Sequence, residues 1–147
     1  GLTRYPSQYD RLRSDPGLIP AAVTEMLRWG TPNAHMRRTA TRDAELGGKQ
    51  ISAGDKVVMW YVSGNRDESV YEQPEEFLIG RDGPRHLAFG AGIHYCIGSR
   101  IAELQLKVLW EELLVRYPFI EATGTPAYLW SNFIVGIKSL PVIIRPR

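Results

Sequence analysis

From Ser63 to Gly92 the chain is rich in Asp, Glu, Asn, Pro and Gly, and its apolar residues follow neither a helical nor a strand period. A coil of that length inside a compact domain is either functional or disordered, with room for one helical turn at most. It separates a continuously apolar run, KVVMWYV, from the glycine-rich decapeptide FGAGIHYCIG, Phe89 to Gly98. The architecture must therefore be built around an irregular segment.

The flanking stretches are more regular. Pro6, Pro16 and Pro20 divide the polar opening TRYPSQYDRLRSDPGLIP into a short helix and a loop. Pro20 suits the first turn of the next helix, where its missing N–H costs nothing. That helix, AAVTEMLRW, groups Val23, Met26 and Leu27 on one side and Glu25 with Arg28 on another, and it ends at Gly30 and Pro32. HMRRTATRDAEL alternates; with the Gly47-Gly48 turn and KQIS it reads as a hairpin. KVVMWYV suits a strand buried on both faces. SRIAELQLKVLWEELLVRY is the clearest helix. One apolar stripe holds Ala102, Leu106, Leu109 and Leu113 and a second holds Ile101, Leu104, Val108 and Val115, which predicts burial on more than one side. NFIVGIKSLPVII reads as a final hairpin turning near Lys138-Ser139, with Pro141 on an edge. The expected class is mainly α with small β-sheets, an α+β arrangement.

The 147 residues suffice for one domain. A hydrophobic content of 44% and a charged content of 23% are ordinary for a water-soluble protein, and a net charge of +2 with the signs interspersed argues against nucleic acid as a partner. One cysteine cannot close an intrachain disulfide, and no apolar run is long enough to span a bilayer. The expected setting is reduced and cytoplasmic.

That cysteine, Cys96, lies two residues after His94 and just before the clearest helix. A lone cysteine is commonly a small buried hydrophobe. Here its sulfur would meet unsatisfied backbone N–H groups and the positive end of the helix dipole, which favour thiolate. Gly90, Gly92 and Gly98 permit backbone geometries closed to other residues and let a flat, bulky object approach the main chain. The thiolate could be a metal ligand or a nucleophile. Iron–sulfur and structural zinc sites draw on several cysteines, and a nucleophile needs a base aimed at it, whereas His94 is near only in sequence. A single axial thiolate to haem iron fits best.

FGAGIHYCIG resembles the haem-binding signature of the cytochrome P-450 superfamily: Phe89, Gly90, Gly92, His94, Cys96 and Gly98 fall on its pattern, and Ala102 follows at the usual distance. The resemblance implies the C-terminal portion of that fold, with haem b (iron protoporphyrin IX) as cofactor. Cys96 would be the iron ligand and catalytic thiolate, with Phe89, Gly90, Ala91, Ile97, Gly98 and Ala102 lining the haem. Glu25 and Arg28 would ordinarily form an exposed helix pair of ~0.2–0.5 kcal/mol. Under the resemblance they match an E-x-x-R motif, a buried ion pair completed by Arg81 in PEEFLIGR. Arg38 of HMRRTA and His94 are the implied propionate ligands, with Arg37 on the opposite face of the strand and His35 open to the haem or the substrate side. Asn33 and Ala34 in TPNAH, and Phe133 in WSNFIVG, are the implied substrate-side residues.

The resemblance extends over nearly the whole chain. RRTATRDAELGGKQISAGDKVVMWYVSGNRDE, IAELQLKVLWEELL and SNFIVGI are most similar to the bacterial family that hydroxylates terminal carbons of alkanes and fatty acids. Glu103 agrees with that branch, since many other relatives carry arginine after the residue matching Ala102. The implied activity is insertion of one oxygen atom from O2 into a C–H bond of a hydrophobic small molecule. Asn33 is polar where an apolar wall is expected, which leaves amphiphiles open as substrates. Electrons would come from NAD(P)H through a ferredoxin reductase and a ferredoxin, with Arg81, Arg85, Arg100 and Lys107 flanking the thiolate side. The superfamily's long central helix, with its acid–alcohol pair, has no counterpart here. Residues 1–147 are therefore expected to be the C-terminal part of a single catalytic domain, inactive by themselves. Three other readings stand beside this one: a peroxygenase, a non-catalytic haem sensor, and a cysteine-nucleophile hydrolase using Cys96 and His94.

Overall fold

A computed structural model describes residues 1–83, 85–117 and 119–145. Pro6 opens α1 (Pro6–Ser14), and a 3-10 turn over Pro16–Leu18 leads into α2 (Ile19–Gly30), whose first turn accommodates Pro20. α2 ends on Thr31, whose left-handed φ of 37° is rare for a β-branched residue. Its hydroxyl donates to the Arg28 carbonyl at 2.6 Å and closes the turn.

β1 (His35–Thr39) pairs antiparallel with β4 (Lys56–Trp60), and β2 (Ala44–Leu46) pairs with β3 (Lys49–Ile51) across Gly47-Gly48. The first expected hairpin is thus only its second half, because β1 crosses to β4. Nor is β4 buried on both faces. It belongs to a two-stranded ribbon, which leaves Val58 and Trp60 39% and 53% exposed. α3 (Tyr61–Gly64) follows, and then the coil runs without helix or strand, among the described residues, to a 3-10 turn at Gly92–His94. α4 (Ser99–Arg116) comes next.

After α4, β5 (Phe119–Ala122) pairs with β8 (Val142–Arg145), and β6 (Ala127–Tyr128) pairs with β7 (Ile137–Ser139). The expected final hairpin is absent, since its two arms join different earlier strands. Pro141 lies in the link between them, off any strand, and its carbonyl accepts the Thr123 N–H at 3.0 Å.

The core forms where α1, α2 and α4 meet the coil. It is made by Tyr9 and Leu12, by Ala22, Val23 and Leu27, by Phe77 and Ile79, and by Leu114. Tyr9 sets its ring edge-on to Trp110 of α4 and Phe119 of β5, at 6.3 and 5.1 Å. Such pairs contribute about 0.5–1.5 kcal/mol beyond the area they bury. α4 packs on the core through Leu106, Trp110 and Leu114. Its burial on more than one side is not met: Ile101, Leu104, Val108 and Val115 stay 65%, 58%, 45% and 69% exposed, because the core covers a single face.

Candidate functional site

Two buried guanidinium groups hold the coil. Glu25 and Arg28 face inward from α2, each side chain 3% exposed. Arg28 donates Nε and Nη2 to the two Glu25 oxygens at 2.8 Å, and it donates to the carbonyls of Asn65, Pro74 and Glu76 at 2.7, 2.8 and 2.9 Å. These bonds use the full donor set of an arginine. Arg81 donates Nε to Glu25 at 3.3 Å and its other nitrogens to the carbonyls of Glu72, Gln73 and Glu76. Glu25 also accepts the Leu78 N–H at 2.9 Å. A coil has no ladder to occupy its carbonyls, and here the two arginines do so. Arg81, its side chain 7% exposed, is thereby withdrawn from the surface patch assigned to it.

The coil delivers the Cys96 loop to α4. The Cys96 N–H donates to the Phe89 carbonyl at 2.9 Å, the Tyr95 N–H to Gly92 at 3.0 Å, and the Ser99 N–H to the Cys96 carbonyl at 3.2 Å. Gly90 requires its missing side chain: its φ is 72°, and a Cβ would stand 3.1 Å from the Tyr61 hydroxyl. Gly98 differs from that expectation. Its φ of −84° suits any residue, and a Cβ there would meet only the Cys96 sulfur, at 3.8 Å. The thiol is free and exposed, and nearby in sequence Ile93 and Ile97 are 98% and 102% exposed. Ala91 and His94 are exposed, while Phe89 and Ala102 are half-buried. No side chain caps α4, and among the described residues no N–H donates to Cys96 Sγ. The expected meeting of the sulfur with backbone N–H groups of the helix end is therefore not made as hydrogen bonds among the described residues. His94 makes no hydrogen bond to Cys96 among the described residues, so no base is aimed at the sulfur. An uncovered soft donor beside a vacant Cβ position, with apolar groups standing out around it, fits a flat apolar macrocycle carrying a metal.

On β1, Arg38 pairs across to Val57 and Arg37 to Val58, so the two side chains leave opposite faces. Arg38 is exposed, has no carboxylate partner among the described residues, and donates to the Arg37 carbonyl at 3.0 Å. His35 lies on the face away from Arg38, its ring 4.8 Å from that of Trp60 and 5.7 Å from that of Phe133, with Nδ1 buried and unbonded. The two segments assigned to the substrate side meet. Ala34 donates its N–H to Phe133 at 2.9 Å, Val135 donates to Pro32 at 2.8 Å, and Asn33 bridges to Ile134.

Sequence reasoning missed two buried polar residues, Asn65 and His86. Asn65 is fully buried; its Nδ2 donates to the Thr31 hydroxyl at 2.9 Å and its Oδ1 accepts the Leu87 N–H at 2.7 Å. It ties the end of α2, through Thr31, to the approach of the Cys96 loop. A polar residue in a polar coil carries no periodic signal that would mark it. His86, 4% exposed, packs on Phe89 at 5.5 Å and its Nδ1 accepts the Ala88 N–H at 3.3 Å. Burial, with Arg85 beside it, holds the His86 imidazolium pKa below the ordinary histidine range. The remaining surface cations are partly neutralised: Arg85 and Arg100 reach Glu103 at 3.6 and 3.7 Å, and Lys107 reaches Glu111 at 2.6 Å.

The family model described as cytochrome P450 matches residues 10–141. Linalool 8-monooxygenase from Pseudomonas putida is 47% identical over 146 residues, covering 99% of this chain and 36% of that protein. The methyl-branched lipid omega-hydroxylase of Mycobacterium bovis is 49% identical over 143 residues, covering 96% and 33%. Cytochrome P450-153 from Novosphingobium aromaticivorans has a similar solved structure, with a TM-score of 0.92 at 47% identity, covering 98% and 37%. The chain spans about a third of the length of the curated relatives it matches.

Proposed function

The chain belongs to the cytochrome P450 family, and from that membership we propose that the full-length protein is a haem-thiolate monooxygenase. The observation that carries the reading is the free, exposed thiol of Cys96, presented at the mouth of α4 beside the open Cβ position of Gly98. Haem b, when bound, supplies oxygen activation and transfer of one oxygen atom from O2 into a C–H bond. Cys96 is its proposed iron ligand, and Phe89, Gly90, Ala91, Ile97, Gly98 and Ala102 surround the macrocycle. Arg38 and His94 bind the propionates, with charge-assisted hydrogen bonds from the guanidinium. Glu25, Arg28 and Arg81 keep the loop in register beneath them. Residues 1–147 form the C-terminal part of one catalytic domain.

The proposed substrates are medium-chain alkanes or fatty acids, hydroxylated at the terminal carbon. The name of the omega-hydroxylase relative supports this choice, and Asn33 favours an amphiphile within it. A terminal C–H bond is stronger than its internal neighbour, so regiochemistry rests on how Asn33, Ala34 and Phe133 position the chain end. Electrons come from NAD(P)H through a ferredoxin reductase and a ferredoxin. An acidic partner surface would approach Arg85, Arg100 and Lys107, and the proposed location is the cytoplasm. No described helix is long and apolar enough to cross a membrane.

The test uses the full-length protein with ferredoxin, reductase and NAD(P)H. We expect a strongly red-shifted ferrous carbon monoxide band and a terminal alcohol product, both lost in Cys96→Ser. Survival of the band in that variant refutes the reading.

A further inference from the structure

We propose that Tyr95 is a positioning residue for Cys96, held in place by Arg85 and, through it, by Glu103 of α4. This rests on the haem-thiolate reading and adds to it the device that sets the loop. Tyr95 directly precedes the thiol residue, and its hydroxyl is buried without a hydrogen-bond partner. What it contributes is its ring. The Arg85 guanidinium lies 4.5 Å from the ring centroid, and Phe89 meets the ring edge-on at 6.1 Å. A cation over an aromatic face is attracted by the ring's quadrupole. Arg85 in turn reaches Glu103 at 3.6 Å, so the coil, the loop and α4 are joined through one side chain. The next residue, His86, packs on Phe89. Two consecutive residues, 85 and 86, thus grip the decapeptide near both ends.

The same arrangement places a positive charge against the residue bonded to Cys96. Arg85 and Glu103 are 55% and 31% exposed at the side chain, so salt reaches and screens their pairing. Without Glu103 drawing on it, Arg85 is free to leave the ring, and Tyr95 and the peptide it shares with Cys96 lose their anchor. The loop geometry should therefore respond to ionic strength through Arg85.

Full-length holoprotein is compared as wild type, Tyr95→Phe, Tyr95→Leu and Arg85→Gln, reading the ferrous carbon monoxide band and the haem midpoint potential at low and high salt. Tyr95→Leu and Arg85→Gln are expected to raise several-fold the fraction of carbonyl complex that lacks the thiolate band. Arg85→Gln also lowers the potential, because a nearby positive charge that favours the reduced form is gone. Tyr95→Phe keeps the ring and retains wild-type values. High salt moves the wild type toward Arg85→Gln and leaves that variant unchanged. A wild-type band and potential in Arg85→Gln overturn the inference, as does a Tyr95→Phe variant that behaves like Tyr95→Leu. Should Tyr95→Leu fail to fold, Arg85→Gln, altered at an exposed side chain, decides. A wild type without any thiolate band overturns the monooxygenase reading itself, which separates the two failures.

Discussion

Arg28 meets both oxygens of one carboxylate and three main-chain carbonyls at once, from a position that water barely reaches. Removing it strands the Glu25 charge, at a cost of ~3–5 kcal/mol. In the full-length protein Arg28→Ala should abolish haem incorporation, read from the Soret absorbance per polypeptide. Arg28→Lys should fail as well, because an ammonium has three donors and no planar fork. His86 carries a different dependence. Its folded-state pKa lies below the unfolded value, so the unfolded chain takes up the proton first. The stability it contributes is complete above about pH 6.5 and is lost as the pH falls through that value toward the lower folded pKa. Around it stand Arg85, Glu103 and Arg28. Urea titrations of the full-length protein between neutral and mildly acid pH should show this loss in the wild type and a flatter profile in His86→Gln. At the proposed substrate side, Asn33→Leu should shift the product profile from fatty acids toward alkanes; an unaltered profile removes Asn33 from the pocket.

Between elements, Asn65 is the joint where the end of α2, α3 and the run into the Cys96 loop are fastened together. Asn65→Ala leaves the half-buried Leu87 N–H and the buried Thr31 hydroxyl without that partner, which should cost about 1–3 kcal/mol in chemical denaturation of the full-length protein. An unchanged midpoint would show that water replaces the amide. Helices are the elements most legible in the sequence, because Pro6, Pro20 and the apolar period of α4 are local signals. Strand partners are not local. The link from β1 to β4 and from β5 to β8 joins segments separated by other strands, and nothing in either strand names its mate. The Cys96 loop is legible because cysteine and glycines at those spacings have few other uses. Glu25 and Arg28 gain meaning only beside Arg81, and Asn65, an amide among many polar residues, gives no sign of its burial.

Across the whole molecule, apolar side chains remain uncovered along α4 and in the strands and loops that follow it, with Val115, Tyr128, Trp130 and Ile137 each more than half exposed. Soluble monomers rarely leave contiguous apolar patches of more than a few hundred Å². Residues 1–147 prepared alone should therefore self-associate and, supplied with haem, give no thiolate-type carbon monoxide band. Light scattering and difference spectroscopy check this, and a monodisperse, band-forming sample would contradict it. The coil from 65 to 91 has another property that follows from how it is held. In a sheet each rung can break by itself, so edges fray one bond at a time. Here a single latch, two arginines on one glutamate, secures carbonyls from 65 to 76 together. Such a segment opens as one cooperative piece. The amide protons of Leu78 and Leu87, bonded to Glu25 and Asn65, should then exchange with solvent at one common opening energy, although eight residues part them in the chain.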